Sequence, residues 1–109
     1  MRDIKLNCTN NEKIIYLNGL IGRVYKILPL YEDMNEALII YIDSLLLNIS
    51  SANYLFDDSL IELIIKINEL KINKIEHKIL RKSVFECINM IKQKIEDVKR
   101  DDNNGKSIR

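Results

Sequence analysis

Few residues in this chain could carry chemistry, and they are scattered. His77 is the only histidine. It falls on the apolar seam of a helical pattern, near that helix's start, where an imidazole more often packs than acts as a base or ligand. Cys87 is ten positions further on, about 280° round the same helix, so the two do not face each other. Cys8 could meet either only through folding. Asp43 sits in an apolar run with no second carboxylate at a spacing suited to general acid–base work. No His, Cys and Asp cluster has metal-ligand spacing, and no helical Glu-x-x-His pair occurs. The residues therefore assign no catalytic group, no metal and no cofactor, and the chain reads as a non-enzyme.

Charge offers a better clue. The chain carries +1 overall, but five basic and nine acidic residues lie up to Ile65, against ten basic and five acidic from Lys66 to Arg100. Lys74, Lys78, Arg81, Lys82, Lys92 and Lys99 fall within about 100° on one helical face. Phe85 lies among them and Glu96 interrupts. Such a stripe can attract phosphates and Phe85 can stack on a base, which makes nucleic acid one expected class of partner. A solvated face whose lysine stems cover the core edge, or one that meets an acidic protein surface, explains the same stripe. Gly19 and Gly22 lie three apart inside another helical pattern, at about 1 kcal/mol each relative to Ala. Packing against a neighbouring backbone is the ordinary reason. A ligand groove beside Asn18 and Arg23 is the other. Gly-x-x-Gly inside a helix is not a phosphate loop, which needs a strand before it.

These residues must be positioned by helices. One hundred and nine residues make one domain, 47% apolar and 30% charged, neither disordered nor fibrous. One Pro and three Gly disfavour an all-β chain of many tight turns. Two cysteines beside a sizeable core do not read as a disulfide framework, and Met1–Asn7 lacks the continuous apolar core of a secretory signal. Reduced thiols in the cytoplasm are expected. Twenty Ile, twelve Asn and twelve Lys against two Ala suggest AT-rich coding.

Four helix-start signals coincide with four apolar periodicities. Thr9-x-x-Glu12 opens a helix over about 10–28, ended by Pro29. Asp33-x-x-Glu36 opens one over 34–56, with a seam at Leu38, Ile42, Leu45, Ile49, Ala52 and Phe56. Ile39 and Leu46 widen that seam and Ile40 and Leu47 lie opposite it. Apolar side chains on nearly all faces predict a buried central rod. A membrane span is the competing reading, and Asp43 divides the uncharged run into pieces short of the required length. Ser59-x-x-Glu62 opens a third helix over 60–71, and Asn73-x-x-Glu76 a fourth over 74–100. Residues 1–8 alternate as a short extended arm, and 101–109 read as a polar, flexible tail. Short connections make antiparallel neighbours, so the expected fold is an all-α, single-domain up-down bundle of four helices.

Ile61, Ile65, Ile75, Ile79 and Met90 point away from their own seams. Surplus apolar surface on two consecutive helices predicts association, most simply as a homodimer. The sequence thus predicts a self-associating protein–protein interaction module with a protein partner and no membrane. Its size and emptiness of catalytic groups fit an accessory, regulatory or inhibitor protein of a phage or mobile element. The alternative is a nucleic-acid-binding regulator using the face from Lys74 to Lys99.

Overall fold

A computed structural model describes the backbone of residues 9–32, 37–71 and 77–108, with the side chains of all but 32, 77 and 101–108. The expected arm over 1–8 lies outside these residues. Helix α1 spans Asn10–Tyr25 and begins at the capping box read from the sequence. The Glu12 amide donates to Thr9 Oγ1 at 3.1 Å, and the Thr9 amide donates to Glu12 Oε1 at 2.9 Å. This satisfies two of the amides that a helix start leaves open.

Pro29 acts earlier than its position suggests. It has no N–H to offer the carbonyl of Tyr25, four residues back, and its ring crowds that carbonyl. The helix accordingly breaks at Lys26, and the chain resumes as the short α2, Ile27–Glu32, with Pro29 inside its first turn. A proline is tolerated there because the first-turn amides have no intrahelical partner.

Helix α3 spans Ala37–Ala52 and tightens into a 3₁₀ turn over Asn53–Phe56. Asp57 and Asp58 follow with φ of 54° and 60°, a left-handed pair that reverses the chain. The start expected from Ser59 takes a different form. Ser59 Oγ donates back to the Phe56 carbonyl at 2.6 Å. The buried Asn53 instead accepts from the Leu60 amide at 2.8 Å through Oδ1, while its Nδ2 donates to Asp58 at 3.3 Å. One side chain thereby stitches the end of α3 to the start of α4, Ile61–Glu69. Helix α5 runs from His77 to Ile108, so the segment expected to be a flexible tail from residue 101 continues the helix through 108.

The architecture is the up-down four-helix bundle, with α2 as a short continuation of α1. Its centre is not the expected one. Leu38, Ile42, Leu45 and Ile49 of α3 are buried, but Ile40 and Leu47 stand 66% and 69% exposed, and Ile39 is also exposed. Helix α3 therefore buries one face only. The spine is α5, whose Leu80, Val84, Cys87, Ile88, Ile91, Ile95 and Val98 all enter the core and which packs on α1, α4 and α2. Most of its cover comes from α1, which supplies Leu17, Leu20 and Val24 and meets the need that the short α4 could not.

The four sides of the bundle are unequal. α1 on α5, α5 on α4 and α4 on α3 are packed sides, whereas α3 and α1 scarcely touch through their backbones. The fourth side is bridged by polar side chains. Tyr16 Oη donates to Asn48 Oδ1 at 2.8 Å, Arg23 Nη1 to the same oxygen at 3.2 Å, and Tyr41 Oη to the Arg23 carbonyl at 2.7 Å.

Candidate interaction surfaces

The open side forms a groove of about 550 Å³ lined by Gly19, Gly22, Arg23, Lys26, Tyr41, Ser44, Leu45 and Asn48. The two glycines are not there to let a neighbour approach: a Cβ on either would meet nothing within 4 Å. The packing expectation is corrected on that ground, and the glycines form part of the groove wall. Arg23 and Lys26 have no carboxylate partner among the described residues. Burial of the Tyr16 and Tyr41 phenols raises both above the ordinary tyrosine range, with the Arg23 charge opposing. The groove can offer cationic and hydroxyl donors to an anionic group, but it holds no nucleophile paired with a base.

The surplus isoleucines are only partly brought together. Ile61, Ile65 and Ile79 are exposed. Ile65 and Met90 line a groove of about 460 Å³ between α4 and α5, with Glu62, Lys66, Glu69 and Glu86. Met90 is half-buried against the core rather than outward, and Ile75 lies outside the described residues. The patch is more acidic than its apolar members suggest. Lys66 and Glu86 pair across it at 2.8 Å, and that hydrogen bond raises the lysine and lowers the carboxyl.

On the basic face, Lys78, Arg81, Lys82, Lys92 and Lys99 are exposed, and Lys74 lies outside the described residues. Lys99 stands 3.7 Å from Glu96. Phe85 is already engaged. Its ring meets that of Tyr25 edge-on, with centroids 5.5 Å apart and planes at 86°, and Arg81 sits 6.0 Å from its centre. A base stacking on Phe85 competes with these two contacts for a ring that is 36% exposed.

Cys87 is fully buried, and burial pushes its thiol up to about 11, so it is no nucleophile at neutral pH. The side chains of His77 and Cys8 lie outside the described residues. Asp43 is exposed and ion-paired with Lys71. Among the described residues no group of His, Cys, Asp and Glu is placed to hold a metal ion.

Sequence reasoning missed one surface. Ile40, Leu47 and Tyr54 form an exposed line at seven-residue spacing along the outer face of α3 and the 3₁₀ turn that extends it, Tyr54 being 52% exposed. The spacing was legible, but apolar residues opposite a seam suggested burial on all sides. The same apolarity gives Ala37–Phe56 the length and composition of a membrane span, with a mean hydropathy of 1.3, so length alone does not dismiss that reading. Its buried seam, packed in the bundle, and its Asp43–Lys71 pair fit a bundle helix. Comparison with protein-family models, curated proteins and solved structures finds no match to this chain.

Proposed function

We propose that the chain is a non-enzymatic protein–protein interaction module that associates with itself and acts by binding another protein in the cytoplasm. One observation carries this reading. After the core is filled, large apolar side chains remain exposed in a line on α3 and as a pair, Ile61 and Ile65, on α4. Isolated surface apolars are ordinary, whereas aligned ones are a common mark of association. Membrane insertion is no part of the reading, because a span over α3 would have to withdraw Ile42 and Ile49 from the core. An accessory or inhibitor role in a mobile element remains compatible with it.

A second reading, a nucleic-acid-binding regulator, draws on the exposed cations Lys78, Arg81, Lys82 and Lys92 of α5. The engagement of Phe85 weighs against it. Sedimentation velocity and duplex-binding titrations at about 50 and about 200 mM salt separate the two. The interaction module sediments with a concentration-dependent rise that is little affected by salt. A strict monomer at every concentration, with duplex binding that falls steeply as salt rises, would replace it with the second reading.

A further inference from the structure

We propose that the groove between α1 and α3 binds a small soluble organic phosphate, a phosphoryl group carried on a compact apolar body. The proposal does not rest on self-association and concerns a different side of the bundle. Gly19, Gly22, Arg23 and Lys26 recur at i, i+3, i+4 and i+7 along α1, which makes them one stripe of the helix. Tyr41, Ser44, Leu45 and Asn48 recur at the same spacing along α3. Facing stripes of neighbouring bundle helices normally hold the apolar residues that close the core. Here only Leu45 is aliphatic, and at 4% exposed it forms the floor. The other positions are two glycines, two cations and three hydrogen-bonding side chains.

Arg23 is held at both ends. Its guanidinium donates to Asn48 Oδ1 at 3.2 Å, and its carbonyl accepts from the Tyr41 hydroxyl at 2.7 Å. Tyr16 donates to the same Asn48 oxygen at 2.8 Å, which steadies the amide that steers the guanidinium. Neither Arg23 nor Lys26 has a carboxylate partner among the described residues, so the rest of the five-donor fork and the ammonium are open to a ligand. The glycines keep the space clear: a Cβ on either would meet nothing within 4 Å, so packing does not require them. Charge and size then choose the ligand. Residues three apart on a helix have Cβ atoms about 5–6 Å apart. Two cations at that spacing suit a phosphate monoester, with nearly two negative charges at pH 7, better than a carboxylate with one. The arginine fork also matches phosphate oxygens two at a time. Carbonyls at the end of α1 oppose an anion, and Tyr41 already occupies that of Arg23. At about 550 Å³ the groove exceeds what inorganic phosphate fills and lies within the range of small-molecule sites. The stripe is about 10 Å long at 1.5 Å per residue, which fits a single-ring ligand and not a polymer.

Phenyl phosphate is the probe, followed through the amide signals of isotope-labelled protein at roughly 50 mM salt, where screening is mild. The amides of Gly19, Gly22 and Ser44 should shift together along one saturable curve. Inorganic phosphate, which buries no ring, should bind the same amides about tenfold more weakly, and phenol should bind more weakly than phenyl phosphate as well. Arg23→Gln keeps a donor for Asn48 but removes the charge, and Lys26→Gln removes the second charge. Each should weaken phenyl phosphate binding about tenfold. Gly22→Leu fills the groove with a good helix former, so it should abolish the shifts without lowering the thermal midpoint. The inference is overturned if phenyl phosphate gives no saturable shift, if phenol shifts the groove as strongly, or if the shifts fall on the Lys78–Lys92 face of α5 instead. A response to vesicles of phosphatidylcholine and phosphatidic acid, with none to phenyl phosphate, would assign the phosphate to a lipid headgroup and overturn the soluble ligand. Each of these failures leaves self-association, which sedimentation tests, where it stood.

Discussion

Asn53 ties the end of α3 to the start of α4. It is the one buried polar side chain among the described residues, and it holds the Leu60 amide, itself buried, at 2.8 Å. Asn53→Ala leaves that amide without a partner and should lower stability by about 1–3 kcal/mol, read as a lower urea midpoint with an unchanged slope. Titration reports on burial as well. The Cys87 thiol rises from 9.0 to about 11 through burial, and burial raises Tyr16 and Tyr41 in the same direction. In each case the folded chain holds a proton that the unfolded chain releases first. The stabilising contribution is therefore complete below about pH 9 and is lost as pH rises through the folded values. Thermal stability should fall between about pH 9 and pH 11, and Cys87→Ala should blunt the early part of that loss. A flat profile over this range would contradict the burial of these groups.

Helices were legible wherever a local signal and a periodicity agreed. The Thr9 capping box forms as read, and the seam of α5 from Leu80 to Val98 is buried. The ends were less legible, because the deciding contact lies elsewhere along the chain. Pro29 breaks the helix three residues before itself, at Lys26, and Asn53 rather than Ser59 supports the start of α4. Helix α3 misled for a different reason: periodicity shows where apolar side chains point but not whether a neighbour covers them, so Ile40 and Leu47 read as buried. The candidate surfaces were legible only as members. Ile61 and Ile65 are exposed as expected, whereas Met90 turns half inward and Phe85 is taken up by Tyr25 and Arg81. With open space around both glycines of α1, Gly19→Ala and Gly22→Ala should each raise stability by about 0.5–1 kcal/mol, measured by thermal unfolding. A loss of stability in either would mean that another backbone does lie against α1.

The whole molecule is an elongated slab, 52 × 31 × 18 Å, with a Cα radius of gyration of 15.6 Å. A compact chain of this length has about 13 Å, and the excess comes from α5 running past its neighbours. Around that spine the bundle packs on three sides, while the fourth, between α1 and α3, is held by hydrogen bonds, the Tyr16–Phe56 ring contact and the packing of α2 on α3. Helix α3 accordingly carries apolar residues on two faces, one buried in the core and one exposed. That exposed second face of α3 is the premise of the proposed self-association. Urea unfolding at about 1 µM, dilute enough to keep weak self-association out of the measurement, compares Ile42→Ala and Leu45→Ala with Ile40→Ala and Leu47→Ala. The first two should lose about 2–5 kcal/mol each, and the second two less than about 0.5 kcal/mol. Comparable losses in all four would show α3 enclosed on every side, with no face left to meet another copy.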